Sequence, residues 1–212
     1  MRGSGRPAEA EMEARVKALL DASARVFIEH GFSDASYEMI AKEANVSTKT
    51  IYAWFGGKAG LFAAVVERYA KRIEPQLHEV LTQNCEHPEI ALAQAARIIL
   101  SFELEPELLA VHRAVIAASA KLPEIGSTFY ALGPGRGVEI LAVFLERCHE
   151  KRLLSVDNFI TAAEAFMALI SRGVLARYLV RAEQGFPSSE MLERQIRPAL
   201  AMFLAAHRVP VP

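Results

Sequence analysis

GFSDASYEMIAKEANVSTKTIYAWFGGKAGL, residues 31–61, reads as two short helices joined by a tight turn. The spacing predicts helices over residues 36–44 and 47–55, with a break at Gly56-Gly57. Ile40, Ala41 and Ala44 share the inward face of the first helix, and Ala41 is small enough to let a second helix cross closely. Asn45 stands where the turn needs a left-handed backbone, which Asn tolerates better than most residues. Val46 anchors the turn in the core, and Ser47 is placed to cap the second helix by taking up a free backbone amide. In that helix Ile51 and Phe55, four apart, point inward. Thr48, Lys49, Thr50, Tyr52 and Ala53 are left outside. A small crossing residue, an apolar turn anchor and a polar outer face are what a helix-turn-helix requires.

That outer face suits a nucleic-acid duplex. Lys49 offers a charge to a phosphate or a guanine edge. The hydroxyls of Thr48 and Thr50 reach phosphates or bases, and their methyls fit a thymine methyl. Tyr52 can donate its hydroxyl to a phosphate, and Ala53 permits close approach to a groove floor. Lys58 opens the next helix, where its charge and the free amides both attract a phosphate. Trp54 has two readings, a wedge against the DNA backbone or packing on the first helix.

The rest of the chain bounds these readings. It has 212 residues, 52% of them apolar, enough for one large domain or two small ones and against disorder. Net charge is −1, which gives no bulk attraction to nucleic acid or membrane. In residues 1–58 eight basic side chains are matched by eight acids, so any DNA affinity must be local. The acids gather in the first helix, Lys49 and Lys58 flank the second motif helix, and Arg2 and Arg6 sit on an N-terminal arm. Cys85 and Cys148 have no paired spacing, which predicts two reduced thiols and favours no disulfide. No uninterrupted apolar run of the eighteen or so residues needed to span a membrane is evident, nor a secretory signal, and the expected location is the cytoplasm.

Ala, Leu and Glu at helical spacing dominate throughout, so the expected fold is all-α. It comprises an arm and three-helix DNA-binding domain over 1–57 and a larger helical effector-binding and dimerisation domain over 58–212. Helices are expected at 8–30, 58–81, 88–102, 106–121, 123–132, 137–151, 156–183 and 188–207 beside the motif pair. Gly31 stops the first, Pro75 should kink the long helix from Lys58, and Gly133-Pro134-Gly135 forms a turn cluster.

On three segments, the helix ending in FIEHGF (27–32), then IAKEANVSTKTIYAWF (40–55), then GGKAGLF (56–62), residues 15–66 resemble the N-terminal domain of the TetR family of bacterial transcriptional regulators. The resemblance implies a homodimer whose recognition helices enter successive major grooves and which is released when a small molecule binds the C-terminal domain. By position it implies DNA contacts from Ser36, Tyr37, Ser47, Thr48, Lys49, Thr50, Tyr52, Trp54 and Lys58. The chain departs from the family pattern at Ala35, where Thr or Ser is usual, at Asn45, where Gly is usual, and at Trp54, where a polar residue is usual. The loss of a cap at Ala35 could be met by Asp34 or Ser36. Residues 105–137, EPELLAVHRAVIAASAKLPEIGSTFYALGPGRG, resemble the AefR-like C-terminal subfamily.

The last two long helices carry more apolar residues than one buried face needs, and their Ala-rich stretches suit close pairing of two chains. Candidate effector contacts are Phe102, His112, Arg113, Ser119, Phe129, Tyr130, Phe144, Phe166, Met167, Arg172 and Tyr178, an apolar set with sparse polar anchors. For each of them alone, packing in the core is the simpler reading. No glycine-rich phosphate loop, metal-ligand helix or nucleophile elbow occurs, so neither an enzyme nor a cofactor is expected, and no metal site. Two further readings stay open: a metal- or redox-responsive regulator, with His78 and Cys85-Glu86-His87 at a helix end, and a helical adaptor that binds no DNA.

Overall fold

The computed structural model describes residues 5–181 and 185–209, with side chains from Ala10 onward; the expected arm side chains Arg2 and Arg6 lie outside the described residues. Every regular element among the described residues is helical. In chain order they are α1 (Gly5–Asp34), α2 (Tyr37–Ala44), α3 (Thr48–Phe55), α4 (Lys58–Gln83) and α5 (Pro88–Glu103). Then follow α6 (Pro106–Ser119), α7 (Pro123–Leu132), α8 (Pro134–Glu150), α9 (Phe159–Leu179) and α10 (Ser189–Ala206).

Two compact units result, Met1–Arg68 with Ala110–Leu132, and Tyr69–Leu109 with Gly133–Pro212. Packing therefore does not divide the chain after residue 57. The start of α4, most of α6 and all of α7 belong with α1–α3. The sequence offers a glycine break at 56–57, but apolar Leu61, Phe62, Val65 and Val66 continue the same core on the far side of it.

The first unit is built on an aromatic trio. Phe27 lies 5.4 Å from Phe32 and 5.9 Å from Phe62, and Phe32 lies 5.4 Å from Phe62, ring centroid to ring centroid. Tilted and edge-on pairs of this kind add to the burial of the rings themselves. Gly31 makes the trio possible: at φ 76° and ψ 163° it breaks the helical path of α1 and turns Phe32 back onto Phe27. Ser23, fully buried in α1, gives its hydroxyl proton to the carbonyl of Leu19 at 2.6 Å, so no polar group is stranded.

In the second unit α8 and α10 pack on α9, and α10 also packs on α5. Their shared core holds Leu92, Leu100, Leu141, Phe166, Ile170 and Phe203, with Phe166 edge-on to Phe203 at 5.1 Å. Gly133-Pro134-Gly135 is not a free turn. Pro134 starts α8, because a proline at the first helical position loses no hydrogen bond and has its φ already set. α9 has no uninterrupted apolar run of membrane-spanning length, since Glu164, Arg172 and Arg177 break it. By length and composition alone it is still long and apolar enough to cross a membrane, with an 18-residue window of mean hydropathy 1.5 of which 33% is buried. Pro75 lies inside α4 and Pro198 inside α10.

Candidate DNA-reading surface

Each change of direction in the motif is made by groups within a few residues of it. Ser36, extended at φ −93°, caps α2 by accepting from the amide of Met39 at 3.1 Å; it supplies the cap that Ala35, itself buried, cannot. Asn45 is left-handed at φ 53°, ψ 46°, and the amides of Asn45 and Val46 close on the carbonyls of Lys42 and Ala41. Ser47 caps α3: its Oγ accepts from the Thr50 amide at 3.1 Å and lies 2.9 Å from the Thr50 hydroxyl. Ile51 is fully buried, while Val46 and Phe55, expected in the core, are only half-buried.

Lys49, Tyr52 and Ala53 are exposed on α3, Thr48, Thr50 and Trp54 half-buried, and Tyr52 leaves 52% of its surface open. Half-burial of Trp54 suits packing on the motif as well as contact at its edge. Tyr52 is held rather than free. Its ring stacks on Tyr37 at 4.6 Å and 28°. Hydrogen bonding to Tyr37 holds the Tyr52 phenol above its ordinary pKa, with the Glu38 carboxylate adding to the effect, so the hydroxyl stays a proton donor. Tyr37 in turn takes up the first amide of α4, the N–H of Lys58 donating to its hydroxyl at 2.9 Å. A stack, a cap and a helix start are thus one connected unit.

Lys58 is engaged inward. Its ammonium donates to the carbonyls of Ser33 at 3.2 Å and Ala35 at 2.9 Å, and lies 4.8 Å from the Phe32 ring. Charge at the end of α1 and contact with an aromatic face make this lysine a tie between α1 and α4. Gly60 is a residue that sequence reasoning passed over. A Cβ on it would stand 2.0 Å from the carbonyl oxygen of Phe55, so only glycine lets the first turn of α4 approach the end of α3. Its spacing after Gly56-Gly57 was the available signal.

The candidate effector residues fall in both units. His112, Arg113, Ser119 and Tyr130 belong to the first unit, and Phe102, Phe144, Phe166, Met167, Arg172 and Tyr178 to the second. Phe144, Phe166 and Tyr178 are core residues, and Tyr130 and Arg172 are exposed. His112 packs edge-on to Phe129 at 4.8 Å. Phe102 lines an open cleft of about 590 Å³ in the second unit, with Ile73, Ile98 and Phe186 around it and Arg72 over its ring at 5.4 Å. Arg72 is paired there with both oxygens of Glu105, at 3.0 and 2.9 Å, and Arg97 with Glu193.

Glu103 was absent from that set. Its Oε2 is shut away from solvent with no hydrogen-bond partner among the described residues. Burial pushes the carboxyl up to about 7, partly offset by the Ser171 hydroxyl. Sequence alone gives no sign of this, since Glu103 sits beside equally acidic Glu105 and Glu107. Among the described residues no three His, Cys, Asp or Glu side chains gather as metal ligands. His87 instead faces Glu89 at 3.8 Å, and Glu86 pairs with Lys151.

Residues 19–65 match the family described as bacterial regulatory proteins, tetR family, and residues 90–209 match the AefR-like transcriptional repressor C-terminal domain. The chain is 30% identical over 89 residues to the HTH-type transcriptional repressor SCO4008 of Streptomyces coelicolor, covering 37% of this chain and 46% of that one. It spans about half the length of the curated relatives it matches. A TetR-family protein from Mesorhizobium loti MAFF303099 has the same fold at TM-score 0.80 and 25% identity, over 93% of this chain and 98% of the other. The flavonoid-responsive regulator FrrA is similar at TM-score 0.75 and 27% identity, over 94% and 100%. With one match on the motif-bearing segment and a second covering more than half of the sequence, this chain belongs to the TetR family of bacterial regulatory proteins.

Proposed function

We propose that the chain is a DNA-binding transcriptional repressor that works in the cytoplasm, reads a palindromic operator as a homodimer and is released by a small-molecule effector. One observation carries the reading. α3 is capped by Ser47, anchored by buried Ile51, and turns Lys49, Tyr52 and Ala53 outward around the Tyr37–Tyr52 stack. A donor hydroxyl, an ammonium and a small side chain on one rigid helix face fit a major groove and its flanking phosphates. DNA reading is assigned to residues 1–57, effector binding and pairing to 58–212. Lys58 contributes by holding the motif together, and Ser36, Thr48, Thr50 and Trp54 flank the reading face.

Pairing is supported by the outer faces of the last two helices. On α9, exposed Ala165, Ala168 and Ala176 surround Arg172; on α10, exposed Met191, Pro198, Met202 and Ala205 share one face, with Arg194 on it between Met191 and Pro198. Two half-sites read by one dimer multiply the few contacts that each motif makes. Effector binding is supported by the open cleft lined by Ile73, Ile98 and Phe102. FrrA is described as flavonoid-responsive, which makes planar polyphenols reasonable first ligands to try.

Selection of bound duplexes from a random pool tests the reading. An inverted repeat should emerge, Tyr52→Ala should weaken binding to it by about 1–3 kcal/mol, and affinity should fall steeply with salt. Met202→Glu should leave the fold intact and yield monomers in sedimentation. A monomeric wild-type chain that enriches no repeat would leave only a helical adaptor.

A further inference from the structure

Tyr37 opens α2, and its ring and its oxygen have different partners. The ring face lies on Tyr52 of α3, with centroids 4.6 Å and planes 28° apart. The Lys58 amide of α4 donates to the hydroxyl oxygen at 2.9 Å. An amide in the first turn of a helix has no partner within that helix, and a phenol oxygen has acceptor sites to give it. The oxygen therefore serves α4 while the ring serves α3. Gly57 keeps the place open: at φ 135° it leaves room where a Cβ would stand 3.1 Å from Tyr37 Oη and 3.9 Å from Tyr52 Cε1. All of these residues lie in the first unit, Tyr37 half-buried and Tyr52 52% exposed.

We propose that Tyr37 is a positioning residue, which serves DNA reading through Tyr52 and makes no DNA contact of its own. The inference rests on α3 being the reading helix. The family resemblance implies a DNA contact at Tyr37, and the packing gives that side chain a different task. An exposed tyrosine on a bare helix face turns among rotamers, and a partner must order it on binding, at a cost in affinity. Against the Tyr37 ring, one orientation of Tyr52 is favoured before any duplex arrives.

Tyr37 cannot swing outward to follow a groove without giving up the Lys58 amide and its stack. Its neighbours are occupied in the same way. The Ser36 hydroxyl accepts from the Met39 amide at 3.1 Å, and the Lys58 ammonium donates to the carbonyls of Ser33 and Ala35. This edge of the motif holds the motif, and outward reading falls to α3.

A double-mutant cycle tests this, with affinity of the full-length chain for its selected duplex read by fluorescence anisotropy at one salt concentration. Tyr37→Ala should weaken wild-type binding roughly three- to tenfold, the cost of ordering one side chain. In a Tyr52→Ala background the same change should cost less than about twofold, because the residue it acts through is gone. In a Lys49→Ala background the full factor should return. Tyr37→Phe keeps the ring and drops the acceptor, so it should bind better than Tyr37→Ala. Urea unfolding checks that each variant is folded, and Tyr37→Leu repeats the cycle if Tyr37→Ala is not. Equal losses in the wild-type and Tyr52→Ala backgrounds, or a Tyr37→Phe chain as weak as Tyr37→Ala, would overturn the inference and leave DNA reading in place. A wild type that binds no duplex would overturn both.

Discussion

Between Gly31 and Gly56 each change of chain direction takes up its own loose backbone groups. Ser36 and Ser47 accept amides, while Asn45 and Gly56 turn left-handed and return their amides to the preceding helix. α5 and α8 of the second unit begin differently, at Pro88 and Pro134, with no side-chain cap at all. A capped helix has its ends defined before anything packs on it, so its outer face is presented at a set angle. A helix begun by proline is told where to start, but its rotation and neighbours come from the core it joins. The first arrangement suits a surface that must match a groove, the second helices that bury Leu92 and Leu141, while α9 and α10 of the same unit carry side-chain caps of their own at Asn158 and Ser188.

The largest test of that contrast is Ile51→Ala. Removing a fully buried side chain from the one helix that presents the reading face should cost about 2–5 kcal/mol, measured by urea unfolding, and abolish operator binding. Unchanged DNA affinity in a folded variant would mean that α3 does not depend on its anchor. Gly60→Ala comes next. Its Cβ cannot be placed without moving the Phe55 backbone, and the strain should cost about 1–3 kcal/mol while lowering DNA affinity.

Glu103→Gln acts in the second unit and its effect depends on pH. Burial raises the folded carboxyl to about 7, above an unfolded carboxylate, so the wild type keeps its full stability below the unfolded value, loses some as pH rises from there to about 7, and stays at the lower level above. The variant should therefore melt higher than the wild type at pH 8 by a few degrees and equally at pH 5. A gain of the same size at both values would remove burial of the charge as the cause. The smallest effect belongs to Ser47→Ala, about 1 kcal/mol of stability by thermal melting, lost with the cap of α3.

Local chemistry explains which parts of the molecule were legible. The all-α class, the stop at Gly31, the left-handed Asn45, the Ser47 cap and the burial of Ile51 all follow from residues within one or two turns of each other. Lys58 was legible as a helix start, but its partners, Ser33 and Ala35, lie on the far side of the motif, so a phosphate looked like the natural destination for its charge. The aromatic and polar residues proposed as effector contacts share a composition and are drawn from both units. Helical spacing records which face a side chain occupies, and says nothing about which helix that face meets.

From residues alone came the helices, their caps and the polar outer face of α3, because backbone conformation and hydrogen bonding between near neighbours in the chain already specify them. Folding alone decided the rest. It closed the space at Gly60, drew Lys58 inward, stranded a carboxyl oxygen at Glu103 and brought Lys151 to Cys85 and Glu86. Each of those outcomes joins parts of the chain that no local interaction holds together, so it exists only once the cores have packed.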